Sequence, residues 1–179
     1  MLKWILHRVL DRAFARFQYD ATYVHDVLDT STSGLLKFLM AHPMNLHRQG
    51  ITHEAWHAAK IATIRHEDCG PCAQLVVDMA LQDGVASSVV RAIVARDFEL
   101  LPPDAELGLR FAEAVAGHES TDQWREEVLR RFGHDGLVSL AFAMAQTRTY
   151  PTMKRVLGYA HVCERLRVGD EEIVAARVA

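Results

Sequence analysis

Cys69-Gly70-Pro71-Cys72 places two thiols within one tetrapeptide, at a point where the sequence opens a helix. Pro71 suits a first helical position, because the N–H it lacks would find no partner there, and Gly70 precedes it. Both sulfurs then lie where unpaired backbone N–H groups and the positive end of the helix dipole favour a thiolate. Two intervening residues also let the thiols close into a disulfide. A low-pKa thiol beside a resolving thiol is what disulfide exchange and peroxide reduction require. In the reducing cytosol expected for this chain, such a pair does not read as a structural staple. Cys69 and Cys72 are the candidate catalytic residues. Cys163, between Val162 and Glu164 on an expected helix, reads as packing.

Thiol chemistry also needs a group to take the proton of the nucleophile. His57, with eleven residues between it and Cys69, is the candidate base. His66 and Glu67 are nearer but read as solvated helix-end residues. His53-Glu54-Ala55-Trp56-His57 matches the zinc-protease pattern H-E-x-x-H, with both histidines on one helix face. No third ligand follows at a matching spacing, so a protease is not expected. His53 and His57 with Cys69 and Cys72 form a four-ligand zinc set in reversed order. That keeps a non-catalytic helical protein with a Cys/His metal cluster as an alternative to the redox reading. An oligomer with a degenerate redox site is a third. Nothing points to a nucleotide, flavin or haem site, and the redox reading calls for no cofactor and no metal.

The elements that position these residues read as helices. The chain has 179 residues, half of them hydrophobic, enough for a core without disulfide staples. A formal net charge of −3 supplies no basic field, so no nucleic-acid partner is expected. Helical periodicity covers about Leu2–Phe17, Thr22–Leu28, Ser33–Ala41, Thr52–Arg65, Pro71–Gln82, Ser87–Asp97, Asp104–Ala116, Thr121–Phe132, Leu137–Thr147 and Thr152–Leu166. Gly84 is expected to cap one helix, Asp104 and Thr121 to start two others, and Pro151 to open the last long one. Gly133-His134-Asp135-Gly136 reads as a turn, and the tail after Gly169 as a short or frayed helix. Strand alternation is nearly absent. Cys-Gly-Pro-Cys also occurs in thioredoxins, but that fold needs an apolar strand before the motif, and here Ala58–Arg65 is helical in pattern.

The N-terminal apolar residues Leu2, Ile5, Leu6, Val9, Leu10, Phe14 and Phe17 recur at helical spacing, with Arg8, Asp11, Arg12 and Arg16 among them. This is an amphipathic helix, not a secretory signal. Packing on the domain or on a partner subunit is favoured over a membrane surface. No membrane partner and a cytoplasmic location are expected.

From about Leu46 to Leu166 the chain resembles the alkylhydroperoxidase D-like branch of the carboxymuconolactone decarboxylase family. A helix leads into Cys69-Gly70-Pro71-Cys72, and a helix ending Met79-Ala80-Leu81-Gln82-Asp83-Gly84-Val85 follows. The Leu107–Ala116 helix, the Phe132-Gly133 turn, the Leu137–Ala145 helix and the segment from Tyr150 to Arg155 resemble later elements of that family. The resemblance implies an all-α, oligomer-forming helical bundle over residues 46–179, with residues 1–45 as a helical extension packed on it. It implies a peroxidase or disulfide reductase working through the two cysteines on a small hydroperoxide or disulfide, with an electron donor. The family pattern has Glu where His57 stands and His where Val76 stands, so the usual proton relay is altered. The second cysteine lies nearest that relay, which makes Cys72 the implied nucleophile.

Overall fold

Ten consecutive residues from Ala55 to Ile64 are buried, so the helix that carries them has no solvent face. In the computed structural model, which describes residues 2–17, 19–67, 69–160 and 165–175, the rest of the chain is arranged around it. The helices are α1 (Leu2–Ala15), α2 (Thr22–Thr30), α3 (Thr32–Leu39), α4 (His53–Arg65), α5 (Gly70–Gln82), α6 (Ser87–Ala95), α7 (Pro103–Ala116) and α8 (Asp122–Leu157), with a 3-10 turn at His42–Leu46. The architecture is predominantly helical. Helix α4 is the central one, in contact with α5, α6, α7 and α8. No helix among the described residues is long and apolar enough to cross a membrane.

Small side chains make this packing possible. Ala55, Ala58, Ala59 and Ala62 are all fully buried on α4. Gly108 of α7 comes so close that a Cβ there would lie 2.2 Å from the Ala55 carbonyl oxygen. A second, smaller core forms from Leu10, Tyr23, Val24, Leu28 and Leu35 of α1, α2 and α3, and Met153 and Tyr159 from the end of α8 pack against it.

Several expected boundaries fall where their chemistry predicts. Gly84, at φ +86°, follows α5, with Gly84 N–H bonded to the Leu81 carbonyl and Val85 N–H to that of Ala80. That paired ending is the Schellman motif, and it leaves Asp83 at the helix cap. Gly133 (φ +67°, ψ −171°) adopts a conformation open essentially only to glycine and breaks α8 where a turn was expected.

Other expectations are corrected. Pro151 lies inside α8 instead of opening a new helix. Proline forfeits one helical hydrogen bond, and the buried Met144, Gln146, Thr147 and Lys154 on either side hold the helix through it. Asp104 sits within α7 and binds Arg131 (2.7 Å) instead of capping. Thr121 takes the cap position of α8 without a side-chain capping bond.

The helix expected to run to Leu166 stops at Leu157, because Gly158 turns to φ +82°. Arg165–Val168 (β1) and Glu171–Val174 (β2) then pair as an antiparallel hairpin across Gly169-Asp170, in place of a helical tail. Leu166 and Val168 alternate inward and join the main core. Gln74 of α5 pins the hairpin, accepting from Arg167 N–H (2.8 Å) and donating to its carbonyl (2.9 Å). Cys163 lies outside the described residues.

Gly108→Ala is expected to cost at least about 2 kcal/mol, because the contact is backbone on both sides and neither helix can yield locally. Urea unfolding of the full chain reads this as a lowered midpoint at unchanged slope.

Candidate functional site

Cys69 occupies the N-cap of α5, one residue earlier than the sequence suggests, and Cys72 lies in the first turn. Gly70 and Pro71 form the start of the helix between them. Each cysteine is only 2% exposed, and both are free thiols. The approach to Cys69 is fixed from α8. Glu67 accepts from Arg148 Nε (2.6 Å) and lies 3.7 Å from Arg155 Nη1, and the Arg155 guanidinium also donates to the Glu67 carbonyl. Glu67 is therefore a buried clamp, not the solvated helix-end residue expected from its position.

The two thiols are electrostatically unequal. The neighbouring Cys72 thiol, as a hydrogen-bond donor to a Cys69 thiolate, draws the Cys69 pKa below the ordinary thiol range. Burial opposes this, but the Cys72 backbone N–H and the charges of Lys154 and Arg155 favour the Cys69 thiolate. The same hydrogen bond, with burial and the Cys69 charge, pushes Cys72 up. The two shifts favour Cys69 as the thiolate and Cys72 as the thiol, the reverse of the implied order of nucleophile and resolver.

Tyr19 and Tyr23 close the site from the N-terminal side. The Tyr19 hydroxyl lies 3.8 Å from Cys72 Sγ, within hydrogen-bond reach for sulfur. Burial first, then Tyr23 and Cys72, raise the Tyr19 pKa and keep its phenol protonated. Lys154, 2% exposed, holds its Nζ 4.3 Å from the Tyr19 ring centroid and 5.1 Å from that of Tyr23. On the outer side of Tyr19 is an open cleft of about 260 Å³, lined by Asp11, Phe14 and His25 among others.

The structure does not bring His57 to the dithiol. His57 Nε2 bonds Asp83 Oδ2 (2.8 Å), and Asp83 caps the far end of α5. Eleven residues of helix separate Asp83 from Cys72, about 16 Å along the axis. Burial, aided by the Lys60 charge and opposed by Asp83, lowers the His57 pKa to about 3. His57 is thus a neutral donor to Asp83, with its other ring nitrogen unpartnered. Burial works against the Asp83 carboxylate, but His57 and Arg48 (2.6 Å) outweigh it and hold its pKa low. Arg48 and Lys60 both stack on the Trp56 ring, at 4.1 and 4.2 Å.

His53 also faces Asp83, 3.2 Å from its carbonyl. Both histidines therefore sit at the opposite end of α5 from both cysteines, and the four-ligand zinc set is not assembled. Among the described residues, no group of three or more His, Cys, Asp or Glu is arranged to hold a metal ion. Val76 is buried in the main core.

Sequence reasoning missed Tyr19, Tyr23 and Lys154. Tyr19 and Tyr23 lie about fifty residues from the dithiol and belong to no motif with it. Lys154 is in a segment singled out only for its family resemblance. Compared with family models, curated proteins and solved structures, the chain matches none of them.

In the reduced protein, Cys69 is expected to ionise below the ordinary thiol value of about 8.5 and Cys72 above it. Alkylation across pH with residue-resolved mass analysis reads both. His57→Ala should leave the Cys69 profile in place while lowering stability by about 2 kcal/mol or more. A displaced Cys69 midpoint in that variant would return the role of base to His57.

Proposed function

We propose that this chain is a thiol-dependent redox protein in which Cys69 attacks a small hydroperoxide or disulfide and Cys72 resolves the product. The observation that carries the reading is the pair of buried free cysteines at the start of α5, Cys69 at its N-cap and Cys72 in its first turn, with the Tyr19 hydroxyl 3.8 Å from Cys72 Sγ. The resemblance to alkylhydroperoxidase D-like proteins supports the same reaction class, and the homo-oligomer it implies is part of the proposal.

With a hydroperoxide, the Cys69 thiolate attacks the terminal oxygen. An S–O bond forms, the O–O bond breaks, and the departing alkoxide takes a proton to leave as alcohol. The Cys72 sulfur then attacks Cys69. An S–S bond forms, the S–O bond breaks, and hydroxide leaves with the Cys72 proton as water. An external dithiol donor returns two electrons and two protons. A disulfide substrate follows the same path through a mixed disulfide. The burial of both cysteines favours a small substrate over a folded protein's disulfide.

Cys69→Ser should reduce peroxide and disulfide turnover to the buffer blank. Cys72→Ser should give a single turnover that stops at Cys69 sulfenic acid or mixed disulfide, read by mass shift. If both variants turn over like the unsubstituted protein, the dithiol is not the reaction centre.

A further inference from the structure

Lys154 poses a physical problem that the dithiol solves. Its ammonium is buried, and among the described residues no carboxylate pairs with it. A buried charge without a counter-ion is costly, and two aromatic faces offset only part of that. The Lys154 charge favours a thiolate at both Cys69 and Cys72. Tyr19 joins the two features, with its ring on Lys154 and its hydroxyl on Cys72.

We propose that Lys154 and Tyr19 are positioning residues of the dithiol: the ammonium holds negative charge on the sulfurs, and the Tyr19 hydroxyl donates to Cys72 when that sulfur becomes the attacking thiolate. The inference deepens the redox reading and rests on it for the resolving step. It also has a consequence that needs no turnover. Lys154 loses its counter-charge when the disulfide forms, so the reduced pair is stabilised relative to the oxidised one. Stabilising the thiolate form makes the pair a stronger oxidant.

The charged and titratable groups that act on the sulfurs are Tyr19 before α2, Tyr23 on α2, and Lys154 and Arg155 on α8, with Glu67 behind Arg155 and Tyr150 behind Tyr23. Glu67 is occupied by its two arginines, and Tyr23 is pushed upward chiefly by burial, so it donates no charge. The Tyr23 hydroxyl has no hydrogen-bond partner among the described residues, so Lys154 is the cation left for the dithiol and Tyr19 the hydroxyl placed on Cys72.

The test uses the full chain with Lys154→Met, Lys154→Arg and Tyr19→Phe, each checked for an unchanged circular dichroism spectrum. Lys154→Met should raise the Cys69 alkylation midpoint by about one pH unit and shift equilibrium with a glutathione redox buffer roughly tenfold toward the disulfide. Lys154→Arg, which keeps the charge, should restore much of both. Tyr19→Phe should leave the Cys69 midpoint near its original value. In Cys69→Ser protein, it should raise the Cys72 midpoint, read by ultraviolet thiolate absorbance.

With hydrogen peroxide as probe, Tyr19→Phe should slow conversion of Cys69 sulfenic acid to disulfide roughly tenfold, the scale of one hydrogen bond to a charged group. Unchanged midpoints and glutathione equilibrium in Lys154→Met overturn the role of Lys154. Unchanged Cys72 ionisation in Tyr19→Phe overturns that of Tyr19. Failure of peroxide and disulfide turnover in the unsubstituted protein would instead overturn the redox reading, and the alkylation, absorbance and glutathione measurements would still judge these two residues. If Lys154→Met loses the native spectrum, Lys154→Gln takes its place, with the same shifts expected and the same unchanged result overturning the role of Lys154.

Discussion

The complete burial of α4 constrains everything around it. A helix with a polar face can leave its polar side chains in water, but α4 has no such face, so its polar side chains turn to partners inside the protein. Thr63 turns its hydroxyl back to the Ala59 carbonyl (2.8 Å). His57 reaches Asp83 across the interface with α5. Lys60 lays its amino group on Trp56 and against Met79. The alanines between them admit α7 to backbone contact at Gly108. A central helix packed this tightly is a poor place for a moving catalytic group and a good scaffold for a site at its end.

That end is where the dithiol sits. Helices α4 and α5 run antiparallel, so their polar groups separate into two clusters. One, around Asp83, receives His53, His57 and Arg48, and it closes the α4–α5 pair at the cap of α5. The other, at the start of α5, receives the cysteines, with Glu67 locked by Arg148 and Arg155 just before them. The first cluster contains a neutral histidine bonded to a carboxylate already engaged by Arg48, and this neutralises groups that α4 would otherwise bury without partners. The second keeps an ammonium laid on two aromatic rings and a protonated phenol beside the two cysteines. The chemical potential of the molecule lies in that difference.

The helices were legible because their signals are local. Periodicity, Gly84 after Gln82-Asp83 and Gly133 after Phe132 each act through neighbouring residues. The dithiol was legible for the same reason, since its geometry follows from two residues of spacing and a helix start. The hairpin was missed because Leu166-Arg167-Val168 is short and its alternation is anchored by Gln74, ninety-three residues before Arg167. His57 was misplaced because separation along the sequence says nothing about which end of an antiparallel pair a residue faces. Glu67 read as solvated because its partners, Arg148 and Arg155, come from α8. Each miss is a long-range contact that no local pattern encodes.

By sequence, residues 1–45 are an extension lying outside the family resemblance. Yet Tyr19 and Tyr23 come from this region, and they place one hydroxyl on Cys72 and two aromatic faces on Lys154. Met153 of α8 and Tyr159 just beyond it enter the small core those helices form. Loss of that core would expose Lys154 to water, where an ammonium needs no thiolate for a partner. The extension thus contributes to the electrostatics of the dithiol as well as its cover, and the site belongs jointly to α5, the end of α8 and the first two helices.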